Sequence, residues 1–201
     1  MFIVFEGPEG AGKTTQIREL ARRLEAKHLN LVVTREPGGT PASDAIREVI
    51  LNPKLEINPL TEFLLYSASR AQHVADVISP ALKQGKTVIS DRFYGASVAY
   101  QGYGRGLELA FIYDLTNRVT AGVNPDLVLL LDIDPEEGLK RVARRGQKDR
   151  LELADLSFHQ KVRQGFLQQA SDNATWVVVD ASQKPETLAD MIWEMVAGLL
   201  E

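Results

Sequence analysis

The first fifteen residues admit few folds. Phe2-Ile3-Val4-Phe5-Glu6 is a short apolar run rich in strand formers that breaks at Gly7. From there the chain reads G-x-x-x-x-G-K-T, with Gly7, Gly12, Lys13 and Thr14 in register. Ile17, Leu20, Ala21 and Leu24 follow at helical spacing. A strand, a glycine-rich turn and a helix in immediate succession make a phosphate-binding loop. The glycines let successive N–H groups face phosphate oxygens, and the helix brings its positive end to the same point. Gly7, Pro8, Glu9, Gly10, Ala11, Gly12, Lys13, Thr14 and Thr15 are therefore expected to hold the phosphates of a nucleoside triphosphate. Lys13 would reach the β- and γ-phosphates, and the Thr14 hydroxyl would ligate Mg²⁺.

The rest of the chain alternates in the same way. Leu29–Val33 reads as a second buried strand running into Arg35-Glu36-Pro37-Gly38-Gly39-Thr40, and Ile46, Val49 and Ile50 make one face of a short helix. A long helical pattern runs from Pro59 to about Gln84. Thr87–Ser90 is a third strand ending in Asp91-Arg92. A helix starts near Ser97 and gives way to a loop holding Gly102, Gly104 and Gly106, and Leu107–Ala121 is helical again. Leu127–Ile133 and Trp176–Val179 complete five strands, with helices after Pro135, around Leu156–Leu167 and from Leu188 to Leu199. Strands alternating with helices predict one α/β domain over residues 1–201 with a central parallel sheet, and ligands of such sheets bind beyond the carboxyl ends of the strands. That places Gly7–Lys13, Arg35–Thr40, Asp91–Phe93, Asp132–Asp134 and Asp180–Ser182 on one rim.

On that rim Asp91 is placed to hold Mg²⁺ through water. Arg92 and Arg35 converge as a second anion site, which a kinase of a phosphorylated acceptor requires. Tyr66 and Arg70 are one helical turn apart and suit a nucleobase, the ring stacking while the guanidinium donates to an acceptor edge; an aromatic at helical spacing is otherwise ordinary core. The segment 140–150 holds six cations and one anion, with Gly146 in its middle, and predicts a lid over phosphates at about residues 141–152 rather than a plain solvated helix. With a net charge of −4 the chain is not built for nucleic acid, and the run Leu127–Leu131 is far too short for a membrane span. No cysteine is present, and residue 2 already belongs to a strand, so a cytoplasmic protein without a signal peptide is expected. His28, His73 and His159 show no metal-ligand spacing.

With these motifs in place the chain resembles the bacterial thymidylate kinases, P-loop nucleoside monophosphate kinases that phosphorylate dTMP with ATP. The likeness rests on FEGPEGAGKTT at 5–15, TREPGGT at 34–40, LLYSASRAQHV at 64–74, SDRFYGASVAYQGYGRGL at 90–107, PDLVLLLDID at 125–134 and RRGQKDRLE at 144–152. It implies a three-layer P-loop NTPase sandwich with a five-stranded parallel sheet, a mobile lid, Mg²⁺ with ATP and a homodimer. Lys13 would hold ATP phosphates, and Arg35 and Arg92 the dTMP phosphate. Tyr66 would stack on thymine while Arg70 hydrogen-bonds it, and Ser97 and Gln101 would finish reading the base. Tyr100 would crowd the sugar 2′ position, and Asp91 would manage Mg²⁺. Glu36-Pro37 matches a position that is often cis. Some members carry an arginine inside the phosphate loop; here that loop reads Pro8-Glu9-Gly10-Ala11, so the resemblance assigns the catalytic charge to Arg145 and Arg150 in the lid. Glu9 would then position the acceptor sugar or a nearby arginine.

Two other readings compete with a dTMP kinase. A deoxynucleoside kinase, or a monophosphate kinase of other specificity, shares the loop, but the former predicts no arginines for an acceptor phosphate. A P-loop switch would want Asp-x-x-Gly and Asn-Lys-x-Asp elements, and neither occurs.

Overall fold

The computed structural model describes residues 1–144, 146 and 149–200. Five parallel strands, β1 (Phe2–Glu6), β2 (Leu31–Arg35), β3 (Thr87–Asp91), β4 (Leu127–Asp132) and β5 (Trp176–Asp180), lie in the order β2-β3-β1-β4-β5. The helices are α1 (Lys13–Glu25), α2 (Pro41–Leu51), α3 (Pro59–His73), α4 (Ser79–Lys83), α5 (Tyr94–Ser97), α6 (Leu109–Val119), α7 (Pro135–Ala143), α8 (Leu156–Asp172) and α9 (Pro185–Ala197).

Side chains of a strand alternate between faces, and β1 uses both. Ile3 and Phe5 pack with Leu129 and Leu131 against Leu20 and Leu24 of α1 and Ile192 of α9. Phe2 and Val4 pack with Val128 and Leu130 against Val162 and Phe166 of α8 and Tyr100. Each such side chain contributes about 1.5–3 kcal/mol. Burial on both faces is why β1 and β4 read as unbroken apolar runs. The result is the expected three-layer sandwich.

β2 departs from expectation twice. It starts two residues later, because the end of α1 uses the chain first. His28 takes a left-handed φ of 59°, and the Leu29 N–H donates back to the Leu24 carbonyl at 3.3 Å, so sheet pairing begins at Leu31 opposite Thr87. It is also an edge strand and not fully buried, with Val33 50% exposed. In α2, Ser43 and Ile50 face inward while Val49 is exposed. The long helical pattern from Pro59 is not uniformly α: Val74–Ile78 forms a π segment between α3 and α4. Pro80 cannot donate to the carbonyl four residues back, and a wider turn accommodates it. A second π segment, Val98–Gly104, continues α5 through Tyr100 and Gln101 and takes in Gly102 and Gly104 of the expected loop, leaving Gly106 in a loop before α6. Such segments gather at functional sites, and the second brings Tyr100 and Gln101 to the cleft described next.

Candidate active site

The register of the parallel strands brings their carboxyl ends to one edge, with Asp91 opposite Phe5 and Arg35, and Asp132 opposite Asp180. There a cleft of about 560 Å³ is lined by Glu9–Thr15 of the loop and by Arg35, Tyr66, Asp91, Arg92, Ser97, Tyr100 and Gln101, among others. Most of the residues expected to share a site therefore do.

On the donor side, Gly7 has φ 142°, and a Cβ there would run into the carbonyl oxygen of Leu131, so the loop lies backbone-to-backbone on β4. Gly10 and Gly138 make the same kind of contact between the loop and α7. A Cβ on Gly10 would strike the Gly138 carbonyl, and one on Gly138 would strike that of Glu9. Lys13 folds back into the loop, its Nζ donating to the carbonyls of Gly7 and Pro8 at 3.1 Å each. Burial lowers its pKa, as does the adjacent Arg92. The Thr14 hydroxyl donates to Asp91 Oδ2 at 3.3 Å. These are hard oxygen donors beside a phosphate loop. No cluster of three or more metal-ligating side chains exists among the described residues. Such a donor set fits Mg²⁺, which keeps waters and is otherwise held by phosphates.

Arg92 stands at the centre. Its φ of 72° is uncommon for a side-chain-bearing residue, and neighbouring groups hold it there. Its N–H donates to the Phe5 carbonyl at 2.9 Å, and its carbonyl accepts from the Ser90 hydroxyl at 2.7 Å. Glu6 Oε1 accepts from the N–H groups of Phe93 and Ala96 at 3.0 Å each. The guanidinium then reaches the loop, donating to the Gly7 carbonyl (3.1 Å), Glu9 Oε1 (2.7 Å) and the Tyr100 hydroxyl (3.0 Å). Tyr100 itself donates to Glu9 at 2.6 Å, and its ring lies 4.9 Å from the Arg92 guanidinium carbon. Burial works to raise the Glu9 carboxyl, but Arg92 and Lys13 outweigh it and hold the group at about 2. Glu6, with less compensation, is raised by burial to about 7.

Arg35 is half-exposed, lines the cleft, and pairs with Asp44 at 3.0 Å. Arg70 is nearly inaccessible at 1% exposure. Its Nε donates to Glu36 Oε2 (2.7 Å) and its Nη2 to the Phe93 carbonyl (3.2 Å) and Ser97 Oγ (3.0 Å), while Nη1 is buried without a partner. Tyr66, one turn earlier on α3, is partly buried on the cleft wall, where burial raises its hydroxyl pKa. Gln101 donates its amide to the buried carboxylate of Glu62 at 2.8 Å. Glu36-Pro37 is cis.

The lid is placed in part. Arg145 lies outside the described residues. Arg150 does not line the cleft. Its Nη1 pairs with Glu62 Oε2 at 2.6 Å and its Nε donates to the Ile50 carbonyl at 2.8 Å, while Nη2 is buried without a partner. Several further residues line the cleft. Arg47 donates to the Pro37 carbonyl at 2.8 Å, and burial, with Arg35 beside it, lowers its pKa. Leu51, Ala96, Asp149, Leu151 and Glu152 also line the cleft, as does Arg141, which donates to the Ala181 carbonyl at 3.1 Å. The basic segment flagged Arg141; nothing in the helical pattern of α2 marks Arg47.

Known proteins resemble this chain along its whole length. A family model for thymidylate kinase matches residues 5–192. The thymidylate kinase of Deinococcus radiodurans is 54% identical over 198 residues, covering 98% of this chain and 96% of that protein. That of Carboxydothermus hydrogenoformans is 50% identical over 200 residues, covering 100% and 96%. The crystal structure of thymidylate kinase from Ehrlichia chaffeensis superposes with a TM-score of 0.79 at 33% identity, covering 98% of each chain. The full-length match in sequence and in fold, over a phosphate loop that shares its cleft with an arginine-bearing acceptor wall, shows that this chain belongs to the thymidylate kinase family.

Proposed function

We propose that the chain transfers the γ-phosphoryl group of ATP to the 5′-phosphate of dTMP, giving dTDP and ADP. The convergence of Lys13 and Thr14 with Arg92 and Arg35 in one cleft, beside Tyr66 and Ser97, carries this reading. The acceptor oxygen is already anionic at neutral pH, so the residues need only align two phosphates and offset their charge.

Lys13 leaves the loop carbonyls for the β- and γ-phosphates, and the loop N–H groups take the rest. Thr14 and Asp91 would hold Mg²⁺, which would supply positive charge against the phosphates when bound. Arg92 and Arg35 grip the dTMP phosphate, with Glu9 and Tyr100 fixing the Arg92 side chain from behind. Tyr66 stacks on thymine. The unpartnered Arg70 Nη1 donates to a base carbonyl, and Gln101, its nitrogen held by Glu62, offers its oxygen to the base N–H. Arg145 and Arg150 supply lid charge during transfer. Exposed Leu60 and Leu64 on α3 and Phe111 on α6 form the face on which a second copy packs in a homodimer.

Incubating the protein with ATP, Mg²⁺ and a panel of nucleosides and nucleotides tests the reading. dTDP forms from dTMP, and dUMP, lacking only the methyl, reacts about 10–200-fold less efficiently. Thymidine phosphorylated as well as dTMP would overturn it in favour of a nucleoside kinase. No described helix is long and apolar enough to cross a membrane, which is compatible with a cytoplasmic site of action.

A further inference from the structure

Arginine–carboxylate pairs favour a fork in which Nε and Nη2 both donate to one carboxylate. Among the described residues it occurs three times: Arg163 on Asp132 at 2.7 Å for both bonds, Arg22 on Glu19 at 2.9 and 2.7 Å, and, more loosely, Arg105 on Glu62 at 3.4 and 3.3 Å. The most deeply buried pair does not. Arg70 gives only Nε to Glu36 Oε2, while Oε1 faces His73, whose Nδ1 lies 3.1 Å away. His73 is completely buried and its Nε2 lies 2.6 Å from the Thr34 hydroxyl. A carboxylate facing a guanidinium only accepts, so Nδ1 carries the proton, and Thr34 donates to the other nitrogen. The ring is held sterically too. A Cβ on Gly39 would come within 2.7 Å of His73 Cδ2, so the 36–40 loop is wrapped on the imidazole. Arg70 Nη2 turns instead to Phe93 and Ser97, and Nη1 is left free.

We propose that His73 is a positioning residue for acceptor-base recognition: its hydrogen bond fixes the Glu36 carboxylate so that Oε2 meets only Nε of Arg70 and the rest of the guanidinium is aimed at the nucleobase. The role rests on the reading of Arg70 as the base donor. Thymine presents a carbonyl where cytosine presents an amino group, so an aimed donor separates dTMP from dCMP.

The test is steady-state kinetics with ATP, dTMP and dCMP on H73L, H73N, T34V, R70A and the H73L/R70A pair. A lost hydrogen bond to a charged group is worth about 10–100-fold. H73L is expected to raise KM for dTMP by that order and to lower the dTMP-to-dCMP efficiency ratio, with KM for ATP within twofold of wild type. H73N, whose amide nitrogen can take the place of Nδ1, restores most of both. T34V shows a smaller change in the same direction and keeps the proposal testable if H73L does not fold. H73L adds nothing in the R70A background. Equal rises in both KM values, an asparagine no better than leucine, an unchanged T34V, or additive effects with R70A would overturn the proposal. R70A separates the two layers. If it leaves the dTMP-to-dCMP ratio intact, the Arg70 reading and this proposal fall together. If it changes the ratio and the His73 and Thr34 variants do not, this proposal falls alone.

Discussion

Arg150, at the foot of the lid, and Glu62, fully buried on α3, are joined by a 2.6 Å ion pair. The same carboxylate accepts from Gln101 at 2.8 Å and faces Arg105 at 3.3 Å, so Arg150 and the cleft residue Gln101 share one anion. Arg150 keeps a spare donor, the buried and unpartnered Nη2. Replacing Arg150 with alanine leaves Glu62 two donors and preserves the fold. It is expected to lower kcat by roughly 10²-fold or more while changing nucleotide affinity far less, since arginines that act on phosphoryl transfer are worth about 10³–10⁵. Rapid-quench and steady-state measurements check this. An effect confined to KM removes Arg150 from the transfer step.

Gly138 to alanine opposes two effects. In a helix interior alanine is favoured over glycine by about 1 kcal/mol. Here the new Cβ strikes the Glu9 carbonyl, and forced overpacking costs about 1–3 kcal/mol. Steric conflict wins: the variant should melt below wild type, and its KM for ATP should rise because the loop is displaced. A higher melting point with unchanged ATP kinetics would show that α7 and the loop part easily.

Glu6 gives a pH dependence of definite sign. Burial raises its carboxyl from 4.5 to about 7, so the folded state favours the protonated form. The stability it contributes is fully present below about pH 4.5 and is lost as pH rises through about 7. Glu6→Gln mimics the protonated form and does not titrate. Denaturant unfolding at pH 4.5, 6 and 7.5 should show wild type losing stability relative to the glutamine variant at each step. Parallel curves would place the Glu6 pKa near its ordinary value.

The leucines at 60 and 64 lie one turn apart on α3 and are about half-exposed, at 47% and 46%. A carboxylate in the middle of an apolar contact is left without a partner. Leu64→Glu should therefore turn a dimer into a monomer in sedimentation while the melting curve of the chain keeps its shape. A wild-type chain that sediments as a monomer would remove this face as an interface.

Much of the site was legible because its residues sit where local patterns are strong. Gly7–Thr15 joins a strand to a helix, and Asp91 and Arg92 end an apolar run, so their place on the rim follows from the sheet alone. Arg70 stood out as a guanidinium one helical turn from Tyr66. Long-range geometry was less visible. The edge position of β2 depends on strand order, which no local pattern encodes, and its start was shifted by the Leu29–Leu24 hydrogen bond. Arg47 and Gly138 look ordinary on their own helices, and only the packing of α2 and α7 brings them to the cleft and the loop. His73 was set aside for want of metal spacing. Its partners, Thr34 and Glu36, are 39 and 37 residues away, and a hydrogen-bonded relay has no spacing rule.

In the proposed function Arg92 holds the acceptor phosphate, and calorimetric titration of dTMP and of thymidine into wild type and Arg92→Ala tests that most directly. Wild type should bind dTMP far more tightly than thymidine. The alanine variant should lose about 10–100-fold of dTMP affinity, as expected for a lost hydrogen bond to a charged group, and almost none of its thymidine affinity. Unchanged dTMP binding in Arg92→Ala, or equal losses for both ligands, would contradict it.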